Sequence, residues 1–347
     1  METKRDNRPA RRTAGLEEVA ALAGVAVATV DRVLNERGGV RPDTAGRVLA
    51  AARQLRLKRV LPSSHHRGLR IEVLLNRPDL PMIQRMNEAF VRLAGTLDRS
   101  VILQRSMLAD DKPGHLAERL RATRCNAVIV YGAENEAVIK AIDALGKAGV
   151  AVVTLTTDLP SSSRLYYAGI DHHAAGQTAG FFMGRMATRP GPVIVLCHQL
   201  HAHSERIRGF RQALATHNSH LVVSDILDGG DESPRSERLL CEALRRRPDA
   251  AGIYNVGGAN DAVRAALQRA PPAHPPIFIG HELDSCTRGM LQDGSMTVTI
   301  DQNPERQASH AIDFVLAHFG YAVAGSNGLD SGGTVPFTVH GPYNLGP

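Results

Sequence analysis

Residues 16–55 read LEEVAALAGVAVATVDRVLNERGGVRPDTAGRVLAAARQL, and their apolar spacing predicts three short helices. Leu16, Val19, Ala20 and Ala23 fall at i, i+3, i+4 and i+7, one face of a helix. Gly24 then interrupts the run, where a tight turn needs a positive φ. Val27, Val30, Val33 and Leu34 form the inner side of a second helix. A third runs from about Pro42 to Leu57 with Val48, Leu49, Ala52 and Leu55 apolar, and Asp43 and Thr44 suit its start. Two helices joined by a short Gly-containing turn make a helix-turn-helix, and the third supplies the core that two cannot close.

The charge of the chain is concentrated around this segment. Residues 1–70 hold 15 Lys and Arg against 7 Asp and Glu, whereas residues 71–347 hold 26 against 28. A basic head on a neutral body points to a polyanion-binding module carried by a second function. Residues 1–14 are polar, basic and without period, the pattern of a flexible arm suited to non-specific phosphate contacts. The body has no apolar run long enough to span a membrane, and the basic, polar N-terminus is not of signal-peptide type, so a cytoplasmic protein is expected. Cys125, Cys197, Cys241 and Cys286 are too widely spaced for a disulfide framework or a zinc finger.

The words VA-x-x-AGV, ATV-x-RVLN, T-x-x-RV and AA-x-x-L within residues 16–55 resemble the DNA-binding head of LacI-type transcription regulators. The resemblance implies a domain over 15–58 whose second helix enters the major groove of double-stranded DNA. It sets Val27 and Ala28 against base edges, where they offer only apolar contacts, and makes Arg32 the base-reading arginine, able to fork to O6 and N7 of guanine. Thr29 and Asn35 then touch phosphate or brace the turn, and Lys58 and Arg59 contact the backbone. Three positions depart from the family. Ala26 stands where a capping Ser is usual, a loss of about 1 kcal/mol. Asp31 also replaces a common Ser, and is expected to orient Arg32. The linker 59–70 carries Pro62, which breaks a helix, and lacks the family's hinge-helix motif, with Leu61 at the wrong spacing to replace its wedge leucine.

From Ile71 short apolar runs alternate with amphipathic stretches. Strands are expected at 71–75, 101–104, 127–131, 151–156, 193–197, 221–227, 252–256, 277–280 and 297–301, with a last one near 335–340. Helices are expected at 83–95, 134–148, 174–187, 205–216, 236–247, 260–269 and 304–319. The fold class is therefore an all-α helix-turn-helix domain followed by an α/β body with parallel sheets, and the strand number suits two lobes over 71–347. The words ERIRGF (205–210), GGAND (257–261), FIGHELD (278–284) and TIDQNP (299–304), in this order, resemble the periplasmic-binding-protein-like body of LacI regulators, particularly its ribose-binding branch.

That resemblance, with the strand ends, nominates an effector site between the lobes. Asn76, Arg77, Tyr131 and Asp158 come from the first lobe, and Asp171 begins the helix at the crossover. Arg206, Asn260, Glu282 and Gln302 come from the second. Carboxylates, amides and guanidinium groups suit a sugar or polyol, because each hydroxyl needs a directional partner. Aromatics are only 4%, there is no Trp, and Glu282 replaces the family's usual Asp, which favours a small or less ring-like ligand such as a polyol, a pentose or a charged derivative.

His198, His201 and His203 form a cluster at the expected cleft mouth, without the carboxylate or cysteine partners that would favour a metal. His65–His66 and His172–His173 are expected to be solvated. No nucleophile elbow, Walker loop or His-Glu-x-x-His occurs, so no cofactor and no catalysis are expected. The resemblance implies an effector-controlled regulator, a repressor, that binds a pseudo-palindromic operator as a homodimer or a tetramer built from it. A solute-binding transport protein and an α/β enzyme with a DNA-binding head are the alternatives.

Overall fold

The computed structural model describes residues 15–35, 37–55, 57, 68–321 and 334–346. The chain divides into two compact units, a head and a body.

The head holds α1 (Leu16–Ala23), α2 (Val27–Leu34) and α3 (Pro42–Gln54). Val19, Val30, Val48, Leu49 and Ala52 are almost fully removed from solvent at their junction. The Glu18 carboxylate accepts the Gly15 N–H at the start of α1. Gly24 ends that helix at φ 66°, ψ 42°, the left-handed turn expected there. Ala26 precedes α2 with no side-chain cap. Val27 departs from the expectation of an inward face: as the first residue of α2 it is 42% exposed. The third helix is shorter than expected, although Leu55 and Leu57 still pack on the core beyond its end.

The body's first lobe holds β1 (Leu69–Leu75), α4 (Pro81–Ala94), β2 (Val101–Met107), α5 (Pro113–Ala122), β3 (Ala127–Val130), α6 (Glu136–Lys147), β4 (Ala151–Leu155) and β5 (Tyr166–Ala168). The strands form one sheet in the order β2-β1-β3-β4-β5. The second lobe holds α7 (His172–Met186), β6 (Gly191–Cys197), α8 (His201–His217), β7 (Leu221–Asp228), α9 (Ser233–Arg246), β8 (Gly252–Asn255), α10 (Asn260–Arg269), β9 (Ile277–His281), α11 (Ser285–Gln292) and β10 (Val298–Asp301). After β10, α12 (Pro304–His318) packs on α4, β4 and β5 of the first lobe, and the chain returns as β11 (Thr338–His340). The second sheet runs β11-β10-β9-β8-β6-β7.

The pairings of β3 with β1 and β4 are parallel, as are those joining β6 through β10, and fully buried strands such as β3 and β4 are the result of helices on both faces. β11 departs from the parallel pattern, since it joins β10 antiparallel. Three elements, α5, α11 and β5, carry too few periodic apolar residues to stand out in the sequence.

One contact between helices sets up the site. A Cβ on Gly176 of α7 would collide with the Arg206 carbonyl of α8, and one on Gly209 would collide with the His173 carbonyl. Both positions need glycine because the two backbones touch, which lays the start of α7 against Arg206.

Candidate functional site

In the head, α2 turns Val27, Ala28 and Arg32 to solvent, while Thr29 and Asn35 are half-buried. Asp31 does not orient Arg32. It accepts from Asn35 Nδ2 at 2.6 Å and from Arg37 Nη1 at 2.9 Å. The reason is helical spacing: residue i+4 lies above Asp31, whereas residue i+1 points about 100° away. Lys58, Arg59, Leu61 and Pro62 lie outside the described residues.

In the body a cavity of about 630 Å³ lies between the lobes, at the carboxyl ends of the strands. Arg77 follows β1, Tyr131 follows β3, and Thr156 and Thr157 follow β4. From the other lobe, Asn260 starts α10, Glu282 follows β9 and Gln302 follows β10. Arg206 reaches the cavity from α8 with 2% of its surface exposed.

Arg206 belongs to a closed ring of hydrogen bonds that ties both lobes together. Its Nε donates to His172 Nδ1 at 3.1 Å and its Nη2 to Gln302 Oε1 at 3.1 Å. The Gln302 carbonyl accepts from Gln307 Nε2 at 2.9 Å, and Gln307 Oε1 accepts from Thr156 Oγ1 at 2.8 Å. His172 Nε2 closes the ring on the Thr156 carbonyl. Because Nδ1 accepts, the imidazole proton sits on Nε2. Burial, and then the Arg206 cation, push the His172 pKa well below its ordinary range, so the ring is neutral. This overturns the expectation of a solvated His172: as the second residue past the crossover it is only 6% exposed and serves as a joint. Its neighbour His173 is half-buried and meets Gln212.

Glu282 hangs from the same ring. Its Oε1 accepts from Gln302 Nε2, and its Oε2 is buried without a hydrogen-bond partner. Burial, with Asp301 adding repulsion, pushes its pKa up to about 8. The Thr157 hydroxyl is also buried and unpartnered on the cavity wall. Buried polar atoms of this kind are costly unless something completes them.

Three nominated residues lie elsewhere. Asn76 is buried behind the wall, where Nδ2 donates to the Tyr131 carbonyl at 3.4 Å. Asp158 is occupied by Arg164, the Thr154 hydroxyl and its neighbour's N–H. Asp171 caps α7, accepting from Ala174 N–H at 2.9 Å. Asn260 does line the cavity, but its amide already bridges Asn255 and the His281 carbonyl.

The sequence reading missed Thr156, Thr157, Leu80, Met82 and Asp231, all of which line the cavity. Of the histidine cluster, His203 lines the cavity, accepts from the His198 N–H at 2.9 Å and is held at about 4 by burial. Among the described residues no set of three ligating side chains could hold a metal ion.

The lobes also grip each other directly. Arg85 of α4 forks onto Asp301 at 2.7 and 3.1 Å, and meets Glu305 and the Leu283 carbonyl. Arg77 donates to the carbonyls of Gly230 and Asp231. Among the described non-glycine residues, Arg77, Thr156, Asp231, Ala259, Glu282 and Asn303 have positive φ, between 52° and 71°. The first five line the cavity and the sixth is next to Gln302.

Comparison with known proteins places both units. The model of bacterial regulatory proteins of the lacI family matches residues 15–58, and a periplasmic binding protein domain matches residues 71–321. No curated protein gives a significant match. Among solved structures, GanP, a glucose-galactose binding protein from Geobacillus stearothermophilus, has a TM-score of 0.71 at 18% identity, covering 80% of this chain and 99% of its own. A solute-binding protein from Burkholderia graminis in complex with D-arabinose has a TM-score of 0.71 at 21% identity, covering 81% and 98%. One from Actinobacillus succinogenes with bound D-allose has a TM-score of 0.69 at 18% identity, covering 80% and 99%. At these identities the likeness is one of fold. With a helix-turn-helix of the matching kind at residues 15–58 and a periplasmic binding protein domain over most of the rest, the chain belongs to the lacI family of bacterial regulatory proteins.

Proposed function

We propose that this chain is a repressor whose grip on a pseudo-palindromic operator is controlled by a small hydroxyl-rich effector, a sugar or polyol, held between the lobes of the body. The observation that carries the reading is the interlobe cavity with its buried Arg206–Gln302–Glu282 chain, in the same polypeptide as a lacI-type head. Sugars bound by structural neighbours of the body support the ligand class. Arg77, Tyr131, Arg206, Asn260, Glu282 and Gln302 are the proposed effector contacts, and Val27, Ala28, Thr29 and Arg32 the proposed DNA contacts. Effector acts through differential affinity for closed and open lobes, so operator must change effector affinity by the same factor.

A homodimer is the proposed operator-binding form. The edge strands of the two sheets support it: β2 exposes Ile102 and Met107, and β7 exposes Val222 and Ile226. Fluorescence anisotropy with promoter fragments, with and without a panel of sugars and polyols, tests the whole reading. Salt-sensitive, saturable binding that one panel member alters is expected. Failure to bind any fragment at low salt would overturn it.

A further inference from the structure

The charges around the cavity narrow what it can hold. Its two arginines are already engaged by protein groups. Arg77 donates through Nε and Nη2 to Asp79 at 3.1 and 2.9 Å, with Asp111 3.6 Å from Nη1. Arg206 is linked to Glu282 by the Gln302 side chain. The described lining residues include no lysine, and burial keeps His203 neutral at pH 7.

Against these two cations stand five carboxylates, Asp79, Asp231, Glu232, Asp261 and Asp284, while burial keeps a proton on Glu282. Asp79, Glu232 and Asp261 are exposed and form the mouth, while Glu282 lies on the buried floor. An excess of one sign in a cleft with low-dielectric walls concentrates its field on whatever enters. A phosphate or carboxylate would leave water and meet that excess, while Arg77 is already engaged with acids and Arg206 with His172, the Val256 carbonyl and Gln302. A hydroxyl can accept from the protonated Glu282 Oε2, which has no partner on the floor, and an ammonium group meets the carboxylates of the mouth. On the opposite wall Leu80, Pro81 and Met82 present apolar surface suited to the C–H face of such a compound.

We infer that the cavity takes a hydroxyl-rich compound that is uncharged or amine-bearing, and turns away phosphorylated and carboxylated ones. The inference rests on the cavity being the effector site and specifies the ligand class of that same site. It also places the ligand in a reaction sequence: phosphoryl transfer from a nucleoside triphosphate onto a ligand hydroxyl would end the signal.

Matched sets test this. A hexose, its 2-amino-2-deoxy analogue, its 6-phosphate and its uronic acid, with the corresponding pentose and pentitol sets, are titrated calorimetrically into the full chain. In every set that binds, the neutral and amine members should bind at least about tenfold tighter than the anions. The gap should narrow at raised salt, and in the exposed-rim double variant Glu232→Gln/Asp261→Asn. A phosphate or uronic acid that binds as tightly as its parent overturns the inference while leaving the effector-site reading in place. Absence of binding by every member, neutral ones included, overturns both.

Discussion

Arg206 uses three N–H groups on His172 Nδ1, the Val256 carbonyl and Gln302 Oε1, and all three acceptors are buried with it. Arg206→Ala should therefore do more than remove a ligand contact. It strands these acceptors and should cost about 2–5 kcal/mol of body stability, seen as a lower melting temperature together with a lost effector response. A variant that melts normally and responds normally would refute both roles. In the head, Arg32→Ala should lose about 1–3 kcal/mol of operator discrimination while keeping salt-sensitive binding, measured by anisotropy on matched and scrambled sites. The difference between Asp158 and Thr156 shows what a sequence hides at this scale. A carboxylate just past a strand looks like a ligand for hydroxyls, yet strand β4 ends earlier, Thr156 and Thr157 reach the cavity, and Arg164 occupies Asp158. Partners distant in sequence decide such cases. Arg206, Glu282 and Gln302 were legible because whole words surround them.

Helices and strands of the body were legible wherever burial imposed a period: each of the nine interior runs from Ile71 to Asp301 became a strand. β5 was not, because three residues hold no period, and neither was the antiparallel sense of β11, which depends on where α12 leaves the chain. The α7–α8 pairing was equally invisible. Gly176 and Gly209 are meaningful only once the two helices are known to be neighbours. In the head, the weak start of α2 can be tested directly. Ala26 offers the N-terminal N–H groups no side-chain acceptor, so Ala26→Ser should stabilise the head by about 1 kcal/mol, read as slower amide exchange along α2. Unchanged exchange would mean that this helix end is satisfied in another way.

For the whole molecule, buried titratable groups set the pH response. Burial holds His203 at about 4 and keeps His172 and His281 well below the ordinary 6.5. Below 6.5 the unfolded chain thus binds more protons than the native one, and stability rises with pH up to that point. Glu282 behaves in the opposite sense. Raised from 4.5 to about 8, it holds a proton in the native state that the unfolded chain has released, so stability falls as pH climbs toward 8. Three histidines outweigh one glutamate below 6.5, and melting temperature should peak near that pH. A curve still rising at pH 8 would contradict the buried, proton-bearing Glu282. The left-handed residues around the cavity carry a consequence of another kind. A side chain at positive φ costs about 1–2 kcal/mol, and Thr156, being β-branched, is especially ill-suited to it. Ala259→Gly removes one such cost without removing any functional group. It should stabilise the body by a net of roughly 0.5–1 kcal/mol after the looser unfolded chain is counted, read as a higher melting temperature. Selection for thermal endurance alone would drive the cavity rim toward glycine. Its present residues mark where this molecule has traded durability for the ability to recognise something.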